Sequence, residues 1–131
     1  MRILIAEHQA ERGQIWAGYL HGQGAEVIIV KNSDQALHLL DLESFDILIL
    51  NLLMPDGGAI IISDFVNVRH PDMPIIAVTT GSFFSDISVF DLIPNARAVL
   101  QMPLRVDDLA AVVEHYATRK PSANSSPIKG A

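Results

Sequence analysis

Five short runs of apolar residues recur along the chain, and longer segments with helical spacing separate them. The runs are continuous rather than alternating, which is typical of strands buried on both faces of a sheet. They are RILIA (2–6), AEVIIV (25–30), FDILIL (45–50), MPIIAVT (73–79) and ARAVLQM (96–102). This repeated strand–helix alternation predicts an α/β fold, with a doubly wound parallel five-stranded sheet and helices on both of its faces.

Four of the intervening segments have apolar residues at helical spacing. They cover residues 9–22, 33–43, 59–69 and 105–118. The second opens with Asn32 and Gln35, which have the spacing of a capping box. In the third, the stripe of Ile61, Phe65 and Val68 predicts the face that packs on the sheet.

Two further segments lack a clear period. The segment 82–93, SFFSDISVFDLI, predicts a short helix before Pro94, but its ends are not fixed by the pattern. After about residue 119 the chain reads KPSANSSPIKGA, which is rich in Ser and Pro and predicts a disordered tail or a truncated linker. We therefore expect one domain over residues 1–118 and a tail over residues 119–131.

The composition narrows the function classes. A chain of 131 residues is the size of one ordinary domain, and its net charge of −6 with scattered basic residues argues against direct nucleic-acid binding. The absence of cysteine excludes a disulfide framework, a thiolate nucleophile and a cysteine-based metal site. The first apolar run is too short for a secretory signal or a membrane span, so we expect a cytoplasmic protein with no membrane partner.

Residues at the carboxyl ends of the predicted strands are the candidate site residues, because ligands of open parallel sheets bind at that edge. These residues are Glu7 and His8 after the first strand, Asn51 after the third, Thr79 after the fourth and Met102 after the fifth. They form no nucleophile–base pair, so the sequence predicts a protein that is not an enzyme. Glu7 and His8 alone are too few ligands to predict a metal site.

Over roughly residues 1–118 the chain resembles the receiver domain of response regulators in two-component systems. The resemblance rests on the order and spacing of NSDQALHLLDLESFDILIL, SFDILILNLLMP, MPIIAVTT and the turn at Pro103. It implies a flavodoxin-like sheet with strand order 2-1-3-4-5. It also implies phosphoryl transfer from a histidine kinase to an aspartate at the end of the third strand, with magnesium held by acidic residues.

Matched position by position, the chain departs from the family's site. The acidic pair becomes Glu7 and His8, the phosphoacceptor becomes Asn51, the lysine becomes Met102, Thr79 matches the switch hydroxyl, and Val99 replaces an aromatic residue. An amide cannot form an acyl phosphate, one carboxylate is a poor Mg²⁺ site, and Met102 cannot neutralise a phosphoryl oxygen. Because the acids and the lysine are lost together, the pocket is expected to be stable without metal, with Mg²⁺ binding weak or absent and no cofactor.

These departures predict a pseudo-receiver, meaning a receiver-like domain without phosphoacceptor chemistry that signals through phosphorylation-independent protein–protein contact. One alternative is a receiver that is still phosphorylated at a non-standard acceptor such as Asp56, although Asp before Gly is equally typical of a tight turn. Another is a flavin- or small-ligand-binding enzyme. The sequence AEHQAERG after the first strand argues against it, because it lacks a Ser/Thr/Gly-rich phosphate-binding loop.

Aromatic residues supply the candidate interface. Trp16 predicts either a core residue that pairs with Leu20 or, if exposed, a docking residue. Phe83, Phe84 and Phe90 flank the predicted fourth helix, where at least one is a candidate for a partner surface. The resemblance implies a histidine kinase, a phosphotransferase or an output protein as partner, or a homodimer through the fourth helix, fifth strand and fifth helix.

Overall fold

The protein is described by a computed structural model, which covers residues 1–80 and 86–117. The predicted tail over residues 119–131 and the first part of the segment 82–93 lie outside the described residues. Within the described ranges, no helix is both long and apolar enough to cross a membrane.

Five parallel strands form one sheet in the order β2-β1-β3-β4-β5, which confirms the predicted architecture and strand order. They are β1 (Arg2–Ala6), β2 (Glu26–Val30), β3 (Ile47–Asn51), β4 (Ile75–Thr79) and β5 (Ala96–Gln101). β3 extends one residue further than predicted, because Asn51 still pairs with β4 opposite Val78. The asparagine is therefore the last residue of the strand.

Helices follow the strands and include all four that the spacing predicts. They are α1 (Ala10–Gly22), α2 (Ser33–Leu42), α3 (Gly58–Arg69), α4 (Asp86–Leu92) and α5 (Val106–Ala117). The predicted capping interaction is present, since the Gln35 backbone N–H donates to Asn32 Oδ1 at 2.8 Å. The return bond runs from the Lys31 backbone N–H to Gln35 Oε1 at 2.8 Å, so it reaches the residue before the N-cap.

The core lies in two layers, one on each face of the sheet. On one face, Ile3 and Ile5 of β1 pack with Trp16 of α1 and Leu109 of α5. On the other face, the sheet packs against α2, α3 and α4 through residues that include Leu4, Leu48, Ala36, Ile62 and Val89. Because both faces are covered, successive residues of the inner strands are all apolar, which explains the continuous runs.

Trp16 belongs to this core. Its side chain is 4% exposed and lies in the same cluster as Leu20, so the core alternative is confirmed. Its inclusion among the candidate interface residues is wrong, because a side chain buried to this extent presents almost no surface to a partner.

α3 turns a different face to the sheet than its spacing predicts. Its buried apolar residues are Ala59, Ile62 and Val66, whereas Ile61 is 44% and Val68 is 76% exposed. The prediction is wrong for Ile61 and Val68, whereas half-buried Phe65 does pack against the core. It fails in part because α3 is apolar on most of its circumference, so periodicity alone does not select the buried face.

A buried asparagine fastens the amino edge of the sheet. Asn95 precedes β5, is 3% exposed, and its Nδ2 lies 3.3, 3.1 and 2.9 Å from the backbone carbonyl oxygens of His70, Pro71 and Met73. The backbone carbonyl of Asn95 accepts a hydrogen bond from the Ile75 backbone N–H at 2.9 Å. One side chain thus holds the segment before β4 against the start of β5.

Candidate functional site

The carboxyl edge of the sheet gathers the residues that follow β1, β3, β4 and β5. These strands are neighbours and run parallel, so their last residues lie along one edge. Glu7 contacts both His8 and Asn51, and the Met102 backbone N–H donates to the Thr79 carbonyl at 2.7 Å. The structure therefore places these positions along one edge of the sheet, where Glu7 contacts Asn51 and Met102 contacts Thr79.

A direct hydrogen bond joins Glu7 and Asn51, and both residues have no exposed surface. Asn51 Nδ2 donates to Glu7 Oε1 at 2.8 Å, while Asn51 Oδ1 accepts from the Leu53 backbone N–H at 2.8 Å. The oxygen must face the N–H donor and the NH₂ group must face the carboxylate, so the network fixes the orientation of the amide. Both ends of the asparagine side chain are therefore engaged.

The Glu7 carboxylate has further partners besides Asn51. The Gln9 backbone N–H donates to Oε2 at 2.8 Å, and Arg12 Nη1 forms an ion pair with Oε1 at 3.5 Å. His8 Nδ1 lies 3.4 Å from Oε2 without making a hydrogen bond. A buried carboxylate is costly unless it is paired and hydrogen-bonded, and these contacts meet that requirement.

Arg12 is the site residue that the sequence analysis missed. It follows Ala10, where α1 begins, and so it lies in the first turn of a helix that starts just after β1. The signal in the sequence is this short separation from Glu7, because the first turn of such a helix lies over the end of the preceding strand.

Gly13 allows α1 to lie close to the sheet at this point. A Cβ atom added there would lie 3.2 Å from Ile29 Cγ2 and 3.7 Å from Glu7 Cγ. The first distance is tighter than ordinary van der Waals contact. A glycine thus permits the close approach that brings the neighbouring Arg12 to the Glu7 carboxylate.

A groove of about 550 Å³ opens next to this network, between α1 and the loop after β5. Its lining includes Arg12, Ile15, Trp16, Met102 and Leu104. Ile15 is 56% exposed, whereas Met102 is half-buried and packs against the apolar cluster on the α1–α5 face. The position that the family comparison assigns to a lysine therefore contributes an apolar wall.

The remaining predicted residues lie apart from the Glu7 network. Val99 is half-buried and packs on the opposite face of the sheet. Asp56 is exposed and has a left-handed backbone with φ 59°, as a tight turn before glycine requires. Phe90 of α4 is 43% exposed, and Phe83 and Phe84 lie outside the described residues.

Comparisons with known proteins give similar sequences and similar solved structures. No protein-family model matches the chain. Response regulator protein PilR of Pseudomonas aeruginosa is 30% identical over 103 residues, which cover 75% of this chain and 22% of PilR. A solved response regulator receiver domain from Clostridium thermocellum is 22% identical, with a TM-score of 0.80 over 90% of this chain and 94% of that one. The fold is that of a receiver domain.

A third similar protein was solved in complex with a ligand. Response regulator TrrA from Thermotoga maritima was solved in complex with Mg²⁺ and BeF. It is 22% identical, with a TM-score of 0.76 over 88% of this chain and 97% of that one. This receiver-like chain spans about a fifth to a quarter of the length of the curated relatives it matches.

The magnesium that the receiver resemblance implies does not fit the residues present. Mg²⁺ prefers carboxylate oxygens in octahedral geometry. Here both Glu7 oxygens already accept hydrogen bonds, the second position is His8, the third is an amide, and the Arg12 guanidinium adds positive charge. Among the described residues, no group of three or more His, Cys, Asp or Glu side chains could hold a metal ion. The expected weakness of Mg²⁺ binding stays a prediction.

Proposed function

We propose that this domain is a pseudo-receiver in two-component-type signal transduction, which acts through protein–protein contacts that do not require phosphorylation. The observation that carries the proposal is the buried hydrogen bond from Asn51 Nδ2 to Glu7 Oε1. It occupies the place where the receiver resemblance predicts a phosphoacceptor aspartate and its acidic neighbours. The proposal includes no catalytic activity of the domain itself.

The chemistry of the network supports this proposal. An acyl phosphate requires a carboxylate nucleophile, and an amide oxygen is a poor one. Asn51 Oδ1 also accepts the Leu53 N–H, so it is already bonded. Met102 offers no cation for a phosphoryl oxygen, a role that a lysine ammonium fills in phosphate sites. The pocket therefore lacks both the nucleophile and the cation that would bind the phosphoryl group.

The groove beside α1 supports a role in protein binding. Exposed Ile15 and half-buried Leu104 give it apolar walls, and Arg12 and Glu11 add charged groups. Such a mixture of apolar and charged surface is typical of protein interfaces. The partners proposed are a histidine kinase, a phosphotransferase or an output protein in the cytoplasm, or a second copy through α4, β5 and α5, where Phe90 is exposed.

The alternative is a receiver that is phosphorylated at Asp56. The exposure of its side chain favours access by a phosphodonor. An exposed turn supplies no buried partners for a phosphoryl group, so the pseudo-receiver accounts better for the site. The two functions differ in one measurable property, which is covalent phosphorylation.

The test is a thermal melt of the protein with Mg²⁺, with beryllofluoride and with both, using TrrA as the positive control. We expect no shift of the melting temperature with any combination. A stabilisation that requires both additives would contradict the proposal. Incubation with acetyl phosphate followed by mass spectrometry then separates the alternatives, because phosphorylation that Asp56→Asn abolishes would assign the acceptor to Asp56.

A further inference from the structure

The Glu7 carboxylate has its own cation, and that cation belongs to the chain. Arg12 Nη1 lies 3.5 Å from Glu7 Oε1, the same oxygen that accepts the hydrogen bond from Asn51 Nδ2. Glu7 has no exposed surface, and the Arg12 side chain is 32% exposed. The guanidinium therefore reaches from the rim of the groove to a buried carboxylate.

The contact between Arg12 and Glu7 has the features of a charge-balancing interaction and not those of a surface ion pair. An exposed pair contributes little, because water screens both charges, whereas a buried carboxylate without a counter-charge is strongly destabilising. Asn51 and Gln9 supply hydrogen bonds to Glu7 but no positive charge. Met102, at the position matched to a lysine, supplies none either. Arg12 is thus the charged donor that the described pocket offers to Glu7, apart from His8 when its imidazole is protonated.

We propose that Arg12 is a tethered cation that takes the place of a divalent metal at Glu7. The pocket then excludes Mg²⁺ because Arg12 already supplies the positive charge beside Glu7, and also because two carboxylates are missing. The proposal deepens the proposed function, on which it rests, because it explains how the pseudo-receiver pocket stays balanced without metal. It assigns Arg12 as a positioning residue for Glu7 and for the first turn of α1.

The experiment restores one of the two missing carboxylates, at position 51, and then removes the cation. Asn51→Asp is combined either with Arg12→Met or with Arg97→Met, an exposed residue of β5 whose side chain bonds only the Pro94 carbonyl among the described contacts. The two double variants have the same net charge, so they differ in the position of the lost cation and not in the overall attraction of Mg²⁺. Mg²⁺ is titrated while the fluorescence of Trp16 is followed, since Trp16 is the single tryptophan and lines the groove with Arg12.

We expect the Arg12→Met double variant to bind Mg²⁺ at least about tenfold more tightly than the Arg97→Met double variant, because a nearby positive charge is removed. Arg12→Lys in the Asn51→Asp background should restore the weak binding, since it returns a cation to the same place. Equal Mg²⁺ affinity of the two double variants would overturn the proposal.

Two controls keep the test decisive. If the Arg12→Met double variant does not fold without metal, Arg12→Gln replaces it, because glutamine keeps a polar side chain and removes the charge; circular dichroism checks folding. The wild-type melt with Mg²⁺ and beryllofluoride separates the two hypotheses. A shift there contradicts the pseudo-receiver function, whereas equal affinities of the double variants contradict only the role of Arg12.

Discussion

Two buried asparagines stand at opposite edges of the sheet, and their partners differ in kind. Asn95, at the amino edge, donates to three backbone carbonyls. Asn51, at the carboxyl edge, donates to the Glu7 side chain, which in turn pairs with Arg12. Backbone carbonyls are uncharged and belong to any sequence, whereas a carboxylate brings a charge that other side chains must balance. The same residue type thus fastens the chain at one edge and forms part of an ionic network at the other.

The largest effect is expected from Asn95→Ala. The substitution removes three contacts to backbone carbonyls, including the one to the buried Met73 carbonyl, and should lower the free energy of unfolding by about 3 kcal/mol. Urea denaturation measures the loss, and Asn67→Ala at an exposed position of α3 is the control. A loss no larger than that of the control would break the comparison, because Asn95 would then not be a fastening residue.

A smaller, pH-dependent effect is expected from Asn51→Asp. The change replaces a donor with a second carboxylate beside Glu7 and should lower the free energy of unfolding by about 2 kcal/mol at neutral pH. The introduced carboxyl should hold its proton to a higher pH in the folded than in the unfolded chain. The folded state then binds more protons, so the loss should shrink as the pH falls toward about 5.

Denaturation of Asn51→Asp across this pH range, beside the exposed control Asn67→Asp, measures that dependence. A loss that is the same at every pH would mean that the new charge does not interact with Glu7. The Asn51 side of the comparison would then rest on hydrogen bonding alone, as the Asn95 side does.

The smallest effect is expected from Asp107→Asn, which tests an ion pair without burial. The hydrogen bond from Arg105 lowers the pKa of Asp107, and both side chains are largely exposed. A lowered pKa in the folded state stabilises the protein above the unfolded pKa, and this contribution is lost as the pH falls through the folded pKa.

Acid denaturation should therefore show a slight loss for Asp107→Asn near neutral pH and none once the carboxyl is protonated. Asp108→Asn, at the next residue, is the matched control. A loss as large as that of Asn51→Asp would mean that an exposed ion pair contributes as much as the buried network. Burial would then not explain the importance of the Glu7–Arg12 pair.

The fold followed from patterns that depend on local sequence. Continuous apolar runs predicted the five strands, and Asn32 with Gln35 predicted the start of α2, which the hydrogen bond between them confirms. The buried face of α3 did not follow, because Ile60, Ile61 and Ile62 are adjacent and are equally apolar. Which one packs is decided by the tertiary position of the helix, as the burial of Ile62 shows.

The sequence predicted the site residues whose positions follow from strand topology. It did not predict the residue whose position depends on how far its side chain extends. Parallel strands bring Glu7 and Asn51 to one edge, and their hydrogen bond confirms that they lie together. Arg12 was missed because its role depends on how its long side chain extends from α1 toward β1. The core position of Trp16 was one of two open alternatives, since its spacing from Leu20 fits a buried stripe while its size also fits a docking residue.

The link between Arg12 and Glu7 also changes how the pocket depends on its surroundings. A site that needs a free metal ion fills according to the concentration of that ion, by mass action. A guanidinium on the first turn of α1 is always close to its partner, because its effective concentration is set by the fold and not by the cell. With Arg12 as the cation, the pairing of Glu7 with a positive charge depends on whether the domain is folded. It does not depend on the concentration of magnesium.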